Sequence, residues 1–129
     1  CIEEAIIAVH DGVRPLIHPD LILNLYLEAE LNSAVIPVCP MSESIRKAQG
    51  EGSKALDRRQ YYSVQTPQCF SSALLHEAYQ QDEQETFTDD ASVVEALGKD
   101  VQLFTGDQRN IKLTTPEDFV FAQALLKHL

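Results

Sequence analysis

Two short apolar runs on either side of one amphipathic stretch constrain the fold of this chain more than any other feature. The runs are AIIAV at 5–9 and SAVIPV at 33–38. Both are rich in branched residues, which is typical of strands buried on both faces. Between them, Pro19 suits the first turn of a helix, and apolar residues at helical spacing predict an amphipathic helix over 19–31. Strand, helix and strand in this length predict a right-handed βαβ unit and favour the α/β class.

The rest of the chain continues this alternation of helices and strands. Helices are expected at 71–81 and 88–98, with Thr88 as the cap of the second and Gly98 as its stop. Strands are expected at 101–104 and 111–113. A final helix is expected to begin at the cap Thr115. Its apolar stripe consists of Phe119, Ala122, Leu125, Leu126 and Leu129.

Polar residues follow several of these elements. Ligands of α/β sheets bind outside the carboxyl ends of the strands, so residues just after strands are the first candidates for a site. Because the carboxyl ends of parallel strands meet, we expect such residues to converge on one edge of the sheet. The candidates are Asp11, Arg14, Ser44, Thr88 and Lys112.

Residues 39–65 have a different character from the rest of the chain. They are polar, and Gly50 and Gly52 separate SESIRKA from KALDRRQYYSV, two segments expected to pair as a long β-hairpin. Its apolar surface is too sparse for a core element, and two strands alone are marginally stable in water. A protruding hairpin of this kind predicts a partner, most simply a second copy of the chain.

The composition argues against several classes of protein. The chain has 129 residues, of which 44% are hydrophobic and 23% charged, as expected for one globular domain. A net charge of -10 argues against a nucleic-acid-binding module, and no apolar run has the length of a membrane span. The three widely spaced cysteines, Cys1, Cys39 and Cys69, fit no disulfide framework or metal motif. Free thiols are expected in a reducing cytoplasm.

The beginning of the chain is unusual. The first residue is Cys1, and the apolar run at 5–9 follows almost at once, without a preceding turn. We therefore expect residues 1–129 to be one partial domain, a fragment of a longer protein.

Four motifs occur in a fixed order: VHDGVRP at 9–15, TPQCF at 66–70, TDDAS at 88–92 and NIKLTTPED at 110–118. Together they resemble the carboxyl-terminal part of the 2-C-methyl-D-erythritol 4-phosphate cytidylyltransferases of non-mevalonate isoprenoid biosynthesis. The resemblance implies a Rossmann-like nucleotidyltransferase sheet and identifies the hairpin at 39–65 as a dimerisation arm. It also implies a reaction between methylerythritol phosphate and CTP that releases pyrophosphate, with Mg²⁺ as cofactor. The family's glycine-rich CTP-binding loop has no counterpart here, so the chain alone is expected to be inactive.

The resemblance implies roles for several residues close to the motifs. Asp11 would bind substrate hydroxyls or lie near the metal, and Lys112 would bind the phosphate that becomes bridging, so both are candidate catalytic residues. Gly12 is assigned to cofactor binding, and no residue is assigned as a metal ligand. Arg14 would contact the substrate. Thr66 and Thr88 would donate their hydroxyls to substrate oxygens.

Two further residues of the arm would act on the neighbouring subunit. Arg58 would reach the partner's substrate phosphate, because a bidentate guanidinium suits phosphate, and Arg59 is the rival candidate. Ser44 would supply a hydroxyl from the arm. Without the resemblance, the motif residues have ordinary structural interpretations, such as a turn carboxylate for Asp11 and a solvated side chain for Lys112.

Two other functions fit the same residues. The sister family that acts on ribitol 5-phosphate shares similar motifs, although SESIRKA and TDDAS favour methylerythritol phosphate. A non-catalytic dimerising or ligand-binding domain is the third possibility, and the absence of the triphosphate loop is its distinguishing feature. In each case the expected ligands are small molecules, and neither nucleic acid nor membrane is an expected partner.

Overall fold

The computed structural model describes residues 4–128 and shows an α/β fold. Strand β1 (Ile6–Val9) is followed by helix α1 (Pro19–Asn32) and strand β2 (Ala34–Pro40). Strands β3 (Ile45–Gln49), β4 (Gly52–Leu56) and β5 (Tyr62–Val64) come next, with one 3-10 turn (Arg58–Gln60) before β5. The remaining elements are β6 (Gln68–Ser71), α2 (Ser72–Ala78), α3 (Asp90–Glu95), β7 (Gln102–Thr105) and α4 (Pro116–Leu126). Cys1 and Leu129 lie outside the described residues.

The main sheet is mixed, with β2 at its centre. Strand β6 lies between β1 and β2 and is antiparallel to both. Strand β7 is parallel to β2 on its opposite edge, and β5 continues beside the end of β2 in the antiparallel direction. Strands β1, β2 and β7 therefore point the same way. Their carboxyl ends meet at one edge of the sheet, together with the residues just before β6.

The predicted strand, helix and strand at the start of the chain are present, but their arrangement differs from the prediction. Strand β6, which was not predicted, is inserted between β1 and β2. Its short sequence QCFS has no apolar alternation to indicate a strand. The expectation that AIIAV is buried on both faces is wrong. In the described chain β1 lies at a sheet edge, and Ile7 is 40% exposed.

The sheet separates two apolar clusters. On one side, Leu21, Leu25 and Ala29 of α1 pack against Val35 and Cys69. On the other side, α2 and α3 pack on the remaining inward residues of β2 and on Phe70. The fold therefore has three layers, helix, sheet and helices. Burial of a side chain such as Leu25, which is fully buried, contributes about 1.5–3 kcal/mol to folding.

Side-chain caps define the starts of the two later helices. Asp89, not Thr88 as predicted, caps α3, and its Oδ1 accepts from the Ser92 N–H at 2.8 Å. The side chain of Ser92 returns a hydrogen bond to the cap, which completes a capping box. The predicted cap of α4 is present, because Thr115 and Asp118 form the same reciprocal pair.

Three other predictions from the sequence need correction. Helix α2 ends at Ala78, so the predicted helix over 71–81 is too long. Residues 111–113 form no strand, and the Leu113 N–H donates to the Val13 carbonyl at 2.8 Å. The apolar stripe of α4 is mostly exposed: Phe119 and Leu126 are each 57% exposed, and Ala122 is buried.

The hairpin is formed by β3 and β4, which make a separate two-stranded sheet. Gly50 occupies the turn with φ 56°, a left-handed conformation that glycine adopts without strain. The main sheet includes both ends of the predicted 39–65 segment, since β2 runs to Pro40 and β5 covers Tyr62–Val64. The free hairpin is therefore shorter than predicted and is largely exposed to solvent.

Two cysteines lie in the described part of the chain, and both are free thiols. Cys39 and Cys69 are buried, and burial raises the pKa of both, that of Cys69 to about 11. Across residues 4–128 none of the helices combines the length and the apolar character needed to cross a bilayer.

Candidate functional site

A tight turn after β1 forms the first wall of the candidate site. The Arg14 N–H donates to the Asp11 carbonyl at 3.1 Å and closes the turn. Gly12 is exposed at its tip, where an added Cβ would meet no atom within 4 Å. The turn places the side chains of Asp11 and Arg14 side by side, and it does not require glycine for steric reasons.

The guanidinium of Arg14 holds the site together. Its Nε donates to Asp11 Oδ2 at 3.0 Å, and its Nη1 donates to the Asn110 carbonyl at 2.8 Å. Arg14 is only 9% exposed. A charge this deeply buried needs partners, and these two fix the planar group in one orientation. Arg14 therefore joins the turn after β1 to the loop after β7.

Lys112 completes a small group of charges. Its Nζ lies 3.8 Å from Asp11 Oδ2, and its side chain is half exposed. The carboxylate of Asp11 thus faces two cations, Arg14 and Lys112. These three residues, called the charge group below, carry a net positive charge. Because the ammonium of Lys112 can turn toward solvent, it is the cation best placed to bind an incoming anion.

Thr66 links this group to the residue before Asp11. The Thr66 Oγ1 accepts from the Asp11 backbone N–H at 2.9 Å and lies 2.9 Å from His10 Nδ1. The other ring nitrogen of His10, Nε2, lies 2.9 Å from the Arg14 carbonyl oxygen. His10, Asp11, Arg14 and Thr66 therefore belong to one hydrogen-bonded ring.

Two buried side-chain amides donate hydrogen bonds to backbone carbonyls next to this hydrogen-bonded ring. Asn110 is fully buried, and its Nδ2 donates to the Thr66 carbonyl at 2.8 Å. The Gln65 Nε2 donates to the Asp107 carbonyl at 2.8 Å. Among the described residues, the Asn110 Oδ1 is the one buried side-chain oxygen or nitrogen without a hydrogen-bond partner. Gly106 lies against this support, since an added Cβ would be 2.5 Å from Gln65 Oε1.

Thr88 lies apart from the charge group, in a hollow of about 490 Å³ that is also lined by Tyr79, Asp89 and Asp90. The Tyr79 hydroxyl donates to Asp90, and this bond raises the pKa of Tyr79 to about 12. Gln68 joins the hollow to the main sheet, because its Nε2 donates to Asp89 Oδ2 at 3.0 Å. No hydrogen bond or ion pair within residues 4–128 connects Thr88 with the charge group.

Ser44 and Arg58 lie at the hairpin and not in the charge group. Ser44 is exposed just before β3, and Arg58 Nη1 donates to the Ser42 carbonyl at 2.9 Å. The guanidinium of Arg59 is held by Asp57, with bonds of 3.0 and 2.9 Å. The same bonds lower the pKa of the Asp57 carboxyl. Arg59 is thus engaged within its own turn, which leaves Arg58 the better candidate of the two for an external ligand.

The structure brings together four of the predicted site residues, Asp11, Arg14, Thr66 and Lys112, with Gly12 beside them. It places Thr88 in the neighbouring hollow and Ser44 and Arg58 at the base of the hairpin. The sequence motifs do not identify His10, Gln65 or Asn110 as site residues. His10 directly follows a strand, so its position was a usable signal, but the two amides became apparent only through their burial.

The described chain offers few protein ligands for a metal ion. In the part of the chain that the structure describes, no three His, Cys, Asp or Glu side chains are grouped so as to hold one. The carboxylate in the charge group, Asp11, already faces Arg14 and Lys112. These residues therefore do not provide a complete protein ligand set for Mg²⁺, an ion that commonly binds one or two carboxylates together with substrate phosphates.

Comparisons with known proteins agree with this architecture. The family model of 2-C-methyl-D-erythritol 4-phosphate cytidylyltransferase (IspD) matches residues 2–128. The enzyme of that name from Phocaeicola vulgatus is 48% identical over 123 residues, which are 95% of this chain and 56% of the relative. The one from Porphyromonas gingivalis is 50% identical over 122 residues, 94% of this chain and 55% of the relative. The chain thus spans about half the length of the curated relatives it matches.

Solved structures give the same result. The crystal structure of 2-C-methyl-D-erythritol 4-phosphate cytidylyltransferase from Thermus thermophilus superimposes with a TM-score of 0.83 at 34% identity. The match covers 95% of this chain and 62% of the solved chain. Both the sequence and the arrangement of strands therefore agree, and the chain belongs to the 2-C-methyl-D-erythritol 4-phosphate cytidylyltransferase family.

Proposed function

We propose that this chain is the polyol-phosphate-binding part of a cytidylyltransferase that acts on 2-C-methyl-D-erythritol 4-phosphate. In the proposed reaction, a phosphate oxygen of the substrate attacks the α-phosphorus of CTP. The bond between the α-phosphorus and the oxygen that joins it to the β-phosphorus breaks, and pyrophosphate leaves. Because charge builds up among several phosphates, positioning and charge neutralisation provide most of the catalysis.

The observation that carries the proposal is the charge group of Asp11, Arg14 and Lys112. The whole chain has a net charge of -10, yet this group combines two cations with one carboxylate. Lys112 is half exposed and is free to bind the substrate phosphate, while Arg14 is buried and held by its hydrogen bonds. Asp11, held between them, is placed to accept hydrogen bonds from substrate hydroxyls. This division of roles suits a ligand with one anionic end and several hydroxyls.

We assign the binding of CTP and Mg²⁺ to residues outside this chain. The sequence has only five glycines, and none form the glycine-rich cluster that cradles a triphosphate. The described residues do not provide a complete protein ligand set for Mg²⁺ either. The chain alone is therefore expected to bind the polyol phosphate without catalysing transfer. We place the protein in the cytoplasm, where free thiols are kept reduced.

The hairpin supports a further part of the proposal, a homodimer formed through residues 39–65. Five of the ten Lys and Arg residues lie between 46 and 59, on an exposed two-stranded sheet and the turn after it. Arg58 is oriented by the Ser42 carbonyl. In the dimer, Arg58 and Ser44 of one copy would complete the polyol-phosphate site of the other.

The binding part of the proposal is tested with the 129-residue chain and two ligands. Isothermal titration calorimetry should show binding of 2-C-methyl-D-erythritol 4-phosphate and weaker binding of ribitol 5-phosphate. Lys112→Ala should lower the affinity for the first ligand by at least about tenfold, because a charge-assisted hydrogen bond is lost. Lys127→Ala, which removes an exposed lysine just after the end of α4, is the matched control and should bind normally.

The catalytic part is tested with a chimera. The amino-terminal part of the Phocaeicola vulgatus relative, joined to this chain, should release pyrophosphate from CTP and methylerythritol phosphate. A preference of the chimera for ribitol 5-phosphate would instead support the sister activity. A folded chimera that turns over neither substrate would support the non-catalytic interpretation. Equal affinities of Lys112→Ala and Lys127→Ala would remove Lys112 from the site.

A further inference from the structure

The hydrogen bonds of His10 determine which of its ring nitrogens carries the proton. Nε2 lies 2.9 Å from the Arg14 carbonyl oxygen, and a carbonyl oxygen can only accept. Nε2 must therefore be the protonated nitrogen. In the neutral ring Nδ1 then has no hydrogen and is an acceptor. Because both nitrogens have partners, a 180° flip of the imidazole would break both hydrogen bonds.

This tautomer fixes the direction of every bond at Thr66. The hydroxyl of Thr66 lies 2.9 Å from His10 Nδ1, so it donates its single proton there. The same oxygen accepts from the Asp11 N–H at 2.9 Å. A hydroxyl has one proton and two lone pairs. One lone pair remains, and toward a ligand Thr66 is an acceptor only.

We propose that His10 is a positioning residue that makes Thr66 select substrate hydroxyls. This inference rests on the proposed function and refines it. A fully ionised phosphate has no proton to give, so it gains nothing from an acceptor. A polyol hydroxyl does have a proton and donates it to the free lone pair of Thr66. Thr66 thus contacts the polyol part of the ligand, and the phosphate is left to Lys112. This reverses the hydrogen-bond direction that the sequence motifs implied for Thr66.

Two substitutions of His10 each keep one of its two hydrogen bonds and remove the other. In His10→Asn, the side-chain oxygen takes the place of Nδ1 and still accepts from Thr66, while the bond to the Arg14 carbonyl is lost. In His10→Gln, the amide nitrogen takes the place of Nε2 and keeps the bond to the Arg14 carbonyl, while Thr66 loses its acceptor. The proton of Thr66 is then free to turn toward a phosphate oxygen.

The first measurement needs no ligand. Long-range ¹H–¹⁵N correlation spectra of the wild-type chain at neutral pH report the protonation of each His10 nitrogen. The expected result is a ring protonated at Nε2 and bare at Nδ1. Protonation at Nδ1, alone or together with Nε2, would overturn the inference whether or not any ligand binds.

The second measurement compares two probes by calorimetry at neutral pH, 2-C-methyl-D-erythritol 4-phosphate and inorganic sulfate, a tetrahedral anion that carries no proton at this pH. The quantity compared is the affinity for the polyol phosphate divided by the affinity for sulfate. His10→Asn should keep the wild-type value of this ratio. His10→Gln should lower the ratio roughly 3- to 10-fold, the range of one neutral hydrogen bond. A merely structural role would weaken both probes alike and leave the ratio unchanged, which would also overturn the inference. Failure of the wild-type chain to bind the polyol phosphate would refute the proposed function, and the ring protonation would still decide the direction of the hydrogen bond between His10 and Thr66.

Discussion

The buried amide of Asn110 offers a direct test of how the site is supported. Asn110→Asp replaces Nδ2 by an oxygen at nearly the same position. The bond to the Thr66 carbonyl, 2.8 Å long, is lost, and that carbonyl is left facing another acceptor. Leaving the Thr66 carbonyl without its donor costs about 1–3 kcal/mol. The free energy of unfolding should therefore fall by about 1–3 kcal/mol at neutral pH.

The same substitution should show a characteristic pH dependence. Burial raises the pKa of the new carboxyl above its unfolded value. The protonated form can donate to the Thr66 carbonyl, so stability should be retained below the unfolded pKa and lost as the pH rises through the folded one. Urea unfolding followed by far-UV circular dichroism measures this, with the exposed Asn24→Asp in α1 as a control of equal charge. Two variants that unfold within about 0.5 kcal/mol of each other at neutral pH would refute the reasoning.

Three further predictions concern other parts of the fold. In Gly106→Ala, the new Cβ would lie 2.5 Å from Gln65 Oε1 and 3.1 Å from the Val38 carbonyl oxygen, so the side chain of Gln65 must move. Thermal unfolding should therefore occur at a lower temperature than in the wild type. An unchanged Tm would contradict the packing described. The Thr114 and Thr115 N–H groups lower the pKa of Asp118 below 3.8, so its stabilising effect is present above pH 3.8 and lost at more acidic pH. The gap in urea midpoint between wild type and Asp118→Ala should therefore shrink from pH 7 to pH 2, and a constant gap would argue against the capping role. Cys69, fully buried and with a pKa of about 11, should resist iodoacetamide at pH 8 until urea unfolds the chain, and mass spectrometry of the digested protein would detect earlier labelling.

Part of this architecture could be predicted from the sequence. The turn after β1 and the loop after β7 both follow strands, and the carboxyl ends of parallel strands meet by geometry alone. The convergence of Asp11, Arg14 and Lys112 therefore follows from the order of elements. The sequence places Lys112 itself in a strand over 111–113, which is wrong, because Lys112 lies in the loop after β7. The caps of α4 could also be predicted, because a capping box is a local pattern.

Other features depend on contacts between distant segments. Strand β6 is too short and irregular in sequence to be recognised, although it is the neighbour of both β1 and β2. Asn110 and Gln65 are common polar residues whose importance comes from burial, which depends on the finished fold. The periodicity of α4 identifies its apolar face, but it does not indicate what that face contacts, and most of the face is exposed.

Under the proposed function, the ring of hydrogen bonds around Arg14 links the stability of the fold to ligand binding. A random mutational screen for lost binding should mostly recover variants at Arg14, Thr66 and Asn110 that also unfold more easily, because their side chains join separate loops of the same domain. Lys112 is the exception, since its ion pair with Asp11 is long and its side chain is half exposed. Among these positions, the affinity for the phosphate can change without loss of solubility or yield chiefly at Lys112, whereas a change of polyol preference at Thr66 would also lower the stability of the fold.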